Sequence, residues 1–358
     1  MSDVIVVGAG LIGMLCAREY AQSGLTVTLL ERGQPAGESS WAGGGILSPL
    51  YPWRYPDSVT ELARWSQIRY AALCDELEHA SGIDPQYLRS GLLVLDDDYS
   101  KIKDWADRFK TKVALLSSAE ISDIEPALTS GFERAIWMPE VAQVRNPRFA
   151  AALRQDLENR GVDIRSQQTV TGFNIVGNKV TGVKTDQGIL HAGQTIIAAG
   201  AWSAELLEQT GFALPVKPVR GQMILFKAKP AQINRICLYR DHYIIPRRDG
   251  RVLAGSTLEH VGFDKTTTSA AQETLRDHAL QLIPGLQDVA IEHHWAGLRP
   301  GSPKGIPYIG RHPSLEQLYI NAGHFRNGVV LAPGSARLLA DISLGRETIL
   351  DPVPYLIE

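Results

Sequence analysis

Residues 4–13 read Val-Ile-Val-Val-Gly-Ala-Gly-Leu-Ile-Gly, and Glu31 closes the next apolar run, Thr26-Val-Thr-Leu-Leu30. An apolar strand, a G-x-G-x-x-G turn, a helix and an acid ending a second strand together form a dinucleotide-binding pattern. Gly8 permits the tight turn, Gly10 lets the backbone approach a pyrophosphate, and Gly13 lets helix and strand pack closely. Leu11 and Ile12 open the helix, whose free N–H groups and dipole favour phosphate charge. Glu31 is placed to accept hydrogen bonds from a ribose diol and to repel a 2′-phosphate, with Arg32 beside it on the same wall.

Further glycine-rich segments lie far along the chain. In Ser39-Ser-Trp-Ala-Gly-Gly-Gly45, residues Ser39, Ser40, Ala42, Gly43 and Gly44 offer main-chain N–H groups with no bulky side chain in the way. Gly200 ends an apolar run where an adenosine half would pass, and Val170 joins the same wall. Gly323-His-Phe-Arg-Asn-Gly328 precedes a helix expected to start near Val329. There Arg326, Asn327, Gly328, Val329 and Val330 would set a helix N-terminus against a ring that gains negative charge on reduction. So many separated segments are redundant for NAD but suit FAD, which needs contacts at its pyrophosphate, ribityl chain and ring edge.

The bulk composition narrows the class. The chain has 358 residues, 44% hydrophobic and 21% charged, with a formal net charge of −3. That length suggests two domains, and no basic field is available for nucleic acid. No apolar stretch approaches the ~20 residues of a membrane span, and no basic leader precedes the first strand. Cys16, Cys74 and Cys237 are scattered, as expected of buried thiols in a reducing cytoplasm. Nine histidines include no pair with metal-ligand spacing, so no metal is expected.

Apolar spacing predicts helices over 58–80, 118–125, 146–160, 269–283 and 335–344. Short alternating strands fill 162–200, longer ones lie at 221–226, 243–246 and 251–257, and a short one at 318–321. The fold expected is α/β plus α+β. A discontinuous Rossmann-like FAD-binding domain of the glutathione-reductase type takes residues 1–85, 140–215 and 311–358. An antiparallel-sheet substrate domain takes 86–139 and 216–310.

The chain resembles the FAD-dependent amine oxidases that include D-amino-acid oxidase and sarcosine oxidase, and most of all the glycine oxidases of bacterial thiamine synthesis. The likeness is carried by the N-terminal fingerprint, Ser39–Gly45, Gly91-Leu-Leu, Val219-Arg-Gly-Gln222, Tyr243-Ile-Ile-Pro246, Gly297–Gly310 and Gly323–Gly328, in order along nearly the whole chain. It implies oxidation of glycine, sarcosine and small D-amino acids by hydride transfer from Cα to the flavin. The imine hydrolyses to glyoxylate and amine or supplies thiazole assembly, and O2 is reduced to H2O2. It also implies a homo-oligomer, often a tetramer, with no nucleic-acid or membrane partner.

By the same resemblance Arg299 forks the substrate carboxylate and Tyr243 touches it; a surface ion pair and a core tyrosine are the alternatives. Arg326 approaches the pocket or clamps the flavin loop. No residue acts as acid or base. Covalently flavinylated relatives carry a cysteine near the C-terminal flavin loop; this chain does not, so its FAD is expected to be non-covalent. Where glycine oxidases tend to place a pocket methionine, near Gly255-Ser-Thr-Leu258, this chain has Leu258. The same fold also serves sarcosine oxidases and D-amino-acid oxidases or dehydrogenases. A non-catalytic or RNA-modifying flavoprotein is the reading from another class.

Overall fold

The architecture comes from a computed structural model, which describes residues 1–357. The opening strand, Ser2–Val7, is buried from Val4 onward. It pairs in parallel with Val27–Leu30 on one side and Gly188–Ile197 on the other. Burial on both faces explains its unbroken β-branched run. Asp163–Arg165 extends the sheet beyond Val27–Leu30, and Leu318–Ala322 extends it beyond Gly188–Ile197. An antiparallel hairpin, Val170–Val176 with Lys179–Thr185, branches from Gly188–Ile197. Helices Leu11–Gln22, Asp57–Ser81, Asn146–Asn159 and Gly328–Leu344 share one core, through Met14, Leu62, Phe149 and Leu331 among others.

A second sheet of eight strands runs Ile291–Gly301, Lys217–Phe226, Val252–Gly255, His242–Pro246, Ile236–Tyr239, Leu92–Val94, Arg134–Met138, Ala114–Ser117. All its pairings are antiparallel except Ile236–Tyr239 with Leu92–Val94. Side chains alternate between its faces, as the two-residue period of a strand requires. Tyr243, Ile245 and Met223 join one core with Trp105, while Ile244 and Ile224 join another with Leu275. The faces are covered by helices Tyr99–Phe109 and Ser269–Leu282. Tyr308–Arg311 pairs with Leu318–Ala322 in the first sheet, so it straddles the boundary expected at residue 310.

The helix expected to start near Val329 and the one expected over 335–344 are a single element. Gly328–Leu344 is continuous and runs through Pro333. Proline has no N–H, so the carbonyl four residues earlier, on Val329, loses its helical partner. The Tyr70 hydroxyl, on the long helix Asp57–Ser81, donates to that carbonyl. Burial pushes the Tyr70 phenol well above its ordinary range, so it stays protonated and able to donate. One turn away, Ser66 Oγ accepts from Gly334 N–H at 2.9 Å. A Cβ on Gly334 would lie 2.8 Å from Leu62 Cδ1, so glycine sets how closely the two helices approach. The long helix thus repairs the proline defect just behind an N-terminus that faces the cavity described below. Tyr70→Phe should orphan the Val329 carbonyl and lower stability by about 1–3 kcal/mol. The midpoint of urea unfolding measures this, and an unchanged midpoint would show that the carbonyl finds another donor.

Candidate active site

A cavity of about 410 Å3 is walled by residues of both sheets, within the range of small-molecule and cofactor sites. The glycine turn forms one end. Gly8 has φ +102°, and a Cβ there would lie 2.5 Å from the Ala198 carbonyl oxygen. A Cβ on Gly13 would lie 1.8 Å from the Gly8 carbonyl oxygen. Gly13 therefore fixes helix-to-strand packing, as its place in the turn predicts, and lies behind the wall rather than among the cofactor contacts. Gly10 caps the helix Leu11–Gln22, and a Cβ on it would meet only Ser40 Oγ within 4 Å, at 3.0 Å. Its open side, with Leu11 and Ile12, faces the cavity.

Glu31 lies on the wall and also braces the turn. One carboxylate oxygen accepts from Ala9 N–H at 2.9 Å and the other from Gly33 N–H at 2.9 Å. A carboxylate offers about four lone-pair directions, so acceptor capacity remains for a diol. Arg32 stacks 3.7 Å over the Trp202 ring, and both line the cavity with Val170 and Gly200.

Ser39, Ser40, Ala42, Gly43 and Gly44 follow as a bare stretch of wall. Asn146 Nδ2 donates to the Ser40 carbonyl at 2.9 Å, and a Cβ on Gly43 would lie 2.8 Å from that nitrogen. Arg247 donates to the Gly44 carbonyl at 2.8 Å. Burial pulls the Arg247 pKa down to about 10, so the brace stays cationic at neutral pH. Opposite, Arg326, Gly328 and Val329 line the cavity at the N-terminus of Gly328–Leu344. Asn327 caps this helix from behind the wall, a correction to its expected contact with cofactor, and its amide oxygen and nitrogen are buried with no partner among the described residues. Val330 is 1% exposed and packs into the core behind the wall, a second correction.

Two helix N-termini, glycine walls that side chains would fill and a diol acceptor form a donor and acceptor set that fits FAD. None of the three cysteines lines the cavity, and all three are buried and free. Nothing on the wall would bond the flavin covalently through sulfur.

The other end is built on the second sheet. Arg299 lies on Ile291–Gly301, and its guanidinium lies across Gly221 of the neighbouring strand. A Cβ on Gly221 would sit 2.1 Å from both terminal nitrogens. Arg299 donates to Ser256 Oγ at 2.7 Å and to the carbonyls of Thr257 at 3.1 Å and Arg220 at 3.4 Å. Among the described residues, no carboxylate lies within 4 Å of it. Burial pulls its pKa down; the Tyr243 phenol opposes this and Arg326 adds to it. Arg326, by contrast, lies 3.7 Å from Asp241 Oδ1 and donates to the Asp241 carbonyl at 3.3 Å. The Tyr243 ring stands over Gly44, where a Cβ would lie 3.3 Å from its Cε2. Its hydroxyl lies 3.8 Å from Met223 Sδ.

Arg299, Tyr243 and Arg326 therefore share one cavity. Leu258 is 46% exposed and off the wall, whereas Met223 supplies a methionine there. Sequence reasoning missed Met223, Ser256 and the job of Gly221. The available signal was an isolated glycine inside a strand, which marks a close approach.

His324 also lines the cavity. Ser335 Oγ donates to Asn321 Oδ1 at 2.6 Å and receives the His324 Nε2 proton at 2.7 Å, which fixes the tautomer. Burial pushes the His324 pKa down to about 3.

Residues 3–342 match the model of the FAD dependent oxidoreductase (DAO) family, and the chain belongs to that family. Within it, the chain is similar to glycine oxidase of Pseudomonas aeruginosa, with 51% identity over 354 residues, 98% of this chain and 97% of that protein. It is 34% identical to the bifunctional protein ThiO/ThiG of Synechocystis, covering 97% of this chain and 52% of that one. Glycine oxidase from Geobacillus kaustophilus has a similar structure, with TM-score 0.94 and 28% identity over 100% of this chain and 98% of that one.

Two outcomes are expected here. Gly10→Val places a branched side chain where the pyrophosphate would run, so the variant should purify without the yellow colour of wild type. Tight FAD retention by that variant would mean the turn is not the phosphate cradle. His324 is neutral when folded, while the unfolded chain protonates below its ordinary 6.5. Its stabilisation is therefore present above that pH and is lost as pH falls toward 3. Between pH 6.5 and 5 the loss is about 2 kcal/mol, and His324→Gln should flatten unfolding midpoints across that range by this amount.

Proposed function

We propose that the protein oxidises glycine, and also sarcosine and small D-amino acids, with Arg299 as the carboxylate anchor. One observation carries this. Arg299 is a cavity-facing guanidinium with neutral acceptors behind it and no carboxylate beside it among the described residues. A planar guanidinium binds a carboxylate through two parallel hydrogen bonds, and a cation lacking an internal counter-charge favours an anionic ligand. Support for glycine in particular comes from the 51% identity to a glycine oxidase.

FAD, when bound, supplies the two-electron acceptor and passes those electrons to O2, giving H2O2. The chain's own groups position and exclude. Arg299 and the Tyr243 hydroxyl hold the carboxylate, with Arg326 at the same cavity. Tyr243 and Met223 crowd the space beside Gly44, which suits an amine with little or no side chain. The N-terminus of Gly328–Leu344 offers its dipole to negative charge. The carboxylates on the wall are Glu31, Glu38 and Glu205, which lie with the glycine turn, Arg32 and Trp202. No carboxylate is thus assigned to move a proton at Cα. The imine leaves and takes up water, so glycine, O2 and water become glyoxylate, ammonia and H2O2.

The two sheets are taken as the two domains, with the second crossing placed before Tyr308. Thiamine synthesis is the proposed destination of the imine, consistent with a ThiO/ThiG relative twice this chain's length. A cytoplasmic homotetramer completes the proposal; it rests on family likeness and three buried free thiols.

The test is anaerobic mixing of the yellow protein with glycine, sarcosine and D-alanine, following bleaching of the flavin. Arg299→Ala should lose about 2–5 kcal/mol of carboxylate binding, raising KM for glycine roughly 30- to several-thousand-fold, with FAD content unchanged. Arg299→Lys should recover only part, since a point charge cannot form the fork. Glycine kinetics within about threefold of wild type would move the anchor to Arg326.

A further inference from the structure

The motif Val219-Arg-Gly-Gln222 contains a charged side chain with no role so far. Arg220 is 5% exposed. Its Nε and NH2 donate to Glu259 Oε2 at 3.1 and 2.5 Å, and its NH1 donates to Asp264 Oδ2 at 2.7 Å and the Thr266 carbonyl at 2.9 Å. Glu259 Oε1 receives two more bonds, from Gln222 Nε2 at 2.9 Å and Thr257 Oγ at 2.5 Å. Thr257 Oγ in turn accepts from Gln222 N–H at 2.9 Å. Arg220 and Glu259 also exchange both backbone hydrogen bonds, at 2.9 and 3.0 Å. Burial acts to raise the Glu259 pKa, but the bonds from Thr257, Arg220 and Gln222 outweigh it and hold the pKa below its ordinary value.

Every acceptor of Arg299 belongs to this cluster or touches it. Ser256 Oγ, the Thr257 carbonyl and the Arg220 carbonyl all lie on the two segments that Glu259 ties together. Long flexible side chains lose rotamer entropy when a ligand orders them, and holding them in place beforehand removes that cost from binding.

We propose that Glu259 is a positioning residue: with Arg220 it fixes the Ser256–Thr257 acceptors, so the Arg299 fork faces the cavity before any carboxylate arrives. This rests on Arg299 being the carboxylate anchor. Glu259 touches neither substrate nor cofactor, and its effect passes through the geometry of Arg299.

The experiment uses the FAD-loaded enzyme and glycolate, a short carboxylate without an amine, titrated against the flavin absorbance. Glu259→Gln should raise glycolate Kd and glycine KM together by about tenfold, with kcat within about threefold and FAD content unchanged. In an Arg299→Ala background the same substitution should add nothing. Arg220→Lys keeps the charge but loses the paired donation to Glu259, so it should reproduce the loss of glycolate affinity and gives a second route should Glu259→Gln fold poorly. An equal effect of Glu259→Gln with and without Arg299 would overturn the proposal. So would an unchanged glycolate Kd in Glu259→Gln or Arg220→Lys while Arg299→Ala weakens binding, a result that leaves the anchor itself standing. If Arg299→Ala also leaves glycolate Kd unchanged, the anchor assignment fails and takes the positioning role with it.

Discussion

A guanidinium keeps its charge at neutral pH, and this fixes how the second sheet must be built around Arg299. Withdrawing such a cation from water is costly unless its donors are met. The chain meets three of the five with a hydroxyl and two carbonyls and without a carboxylate among the described residues. Two N–H groups and the charge are left over, so an arriving carboxylate finds both donors and an unpaired cation. Arg326 lies 3.7 Å from Asp241 Oδ1 and retains less for a ligand. Gly221 follows from the same constraint, because only a missing side chain leaves room for the guanidinium plane.

The cofactor end obeys a complementary rule, in which main chain does the work that side chains do elsewhere. Gly10, Gly43 and Gly44 expose backbone, and larger groups hold that backbone from behind: Asn146 on the Ser40 carbonyl, Arg247 on the Gly44 carbonyl. The helix facing this wall keeps its course across Pro333 only because Tyr70 and Ser66 replace what proline removes. Glu31 ties the end of the second strand to the turn above the first. Asn146, Arg247, Tyr70 and Ser66 thus stiffen these bare surfaces from outside the cavity, while Glu31 braces the turn from its wall.

How much of this was legible in the sequence depended on how local the cause was. Gly8 can be read directly, because a tight turn with φ +102° demands glycine wherever the rest of the chain goes. Arg299 came through likeness to a family; its apolar flanks alone could not separate it from a surface ion pair. The task of Gly221 is not local, since it appears only when Val219 is paired with Arg299 across two strands. Neither the strand Ile291–Gly301 nor that register has a signal within a short window of sequence. Val329 and Val330 were both set on the wall, yet neighbours on a helix point about 100° apart, so one faced the core. The helix Tyr99–Phe109 buries only Ile102, Trp105 and Ala106, too few apolar positions to announce itself. Leu258 was weighed as a pocket residue by position in a motif, and the chain carries it outward.

The opening strand has its two sheet neighbours at very different distances along the chain. Val27–Leu30 follows within the same βαβ unit, but Gly188–Ile197 comes far later, and beyond it Leu318–Ala322 later still. Ala198, which crowds Gly8, and Tyr70, which completes the helix at Val329, extend the same pattern. Contacts so distant in sequence make a chain fold slowly, since long loops must close before they are rewarded. On the ribosome, the first turn emerges with half of its walls still untranslated. Until the last helix docks, the nascent protein displays a sheet edge and an apolar face that invite association. The fingerprint near residue 10 becomes a binding site only after the helix Gly328–Leu344 has been made.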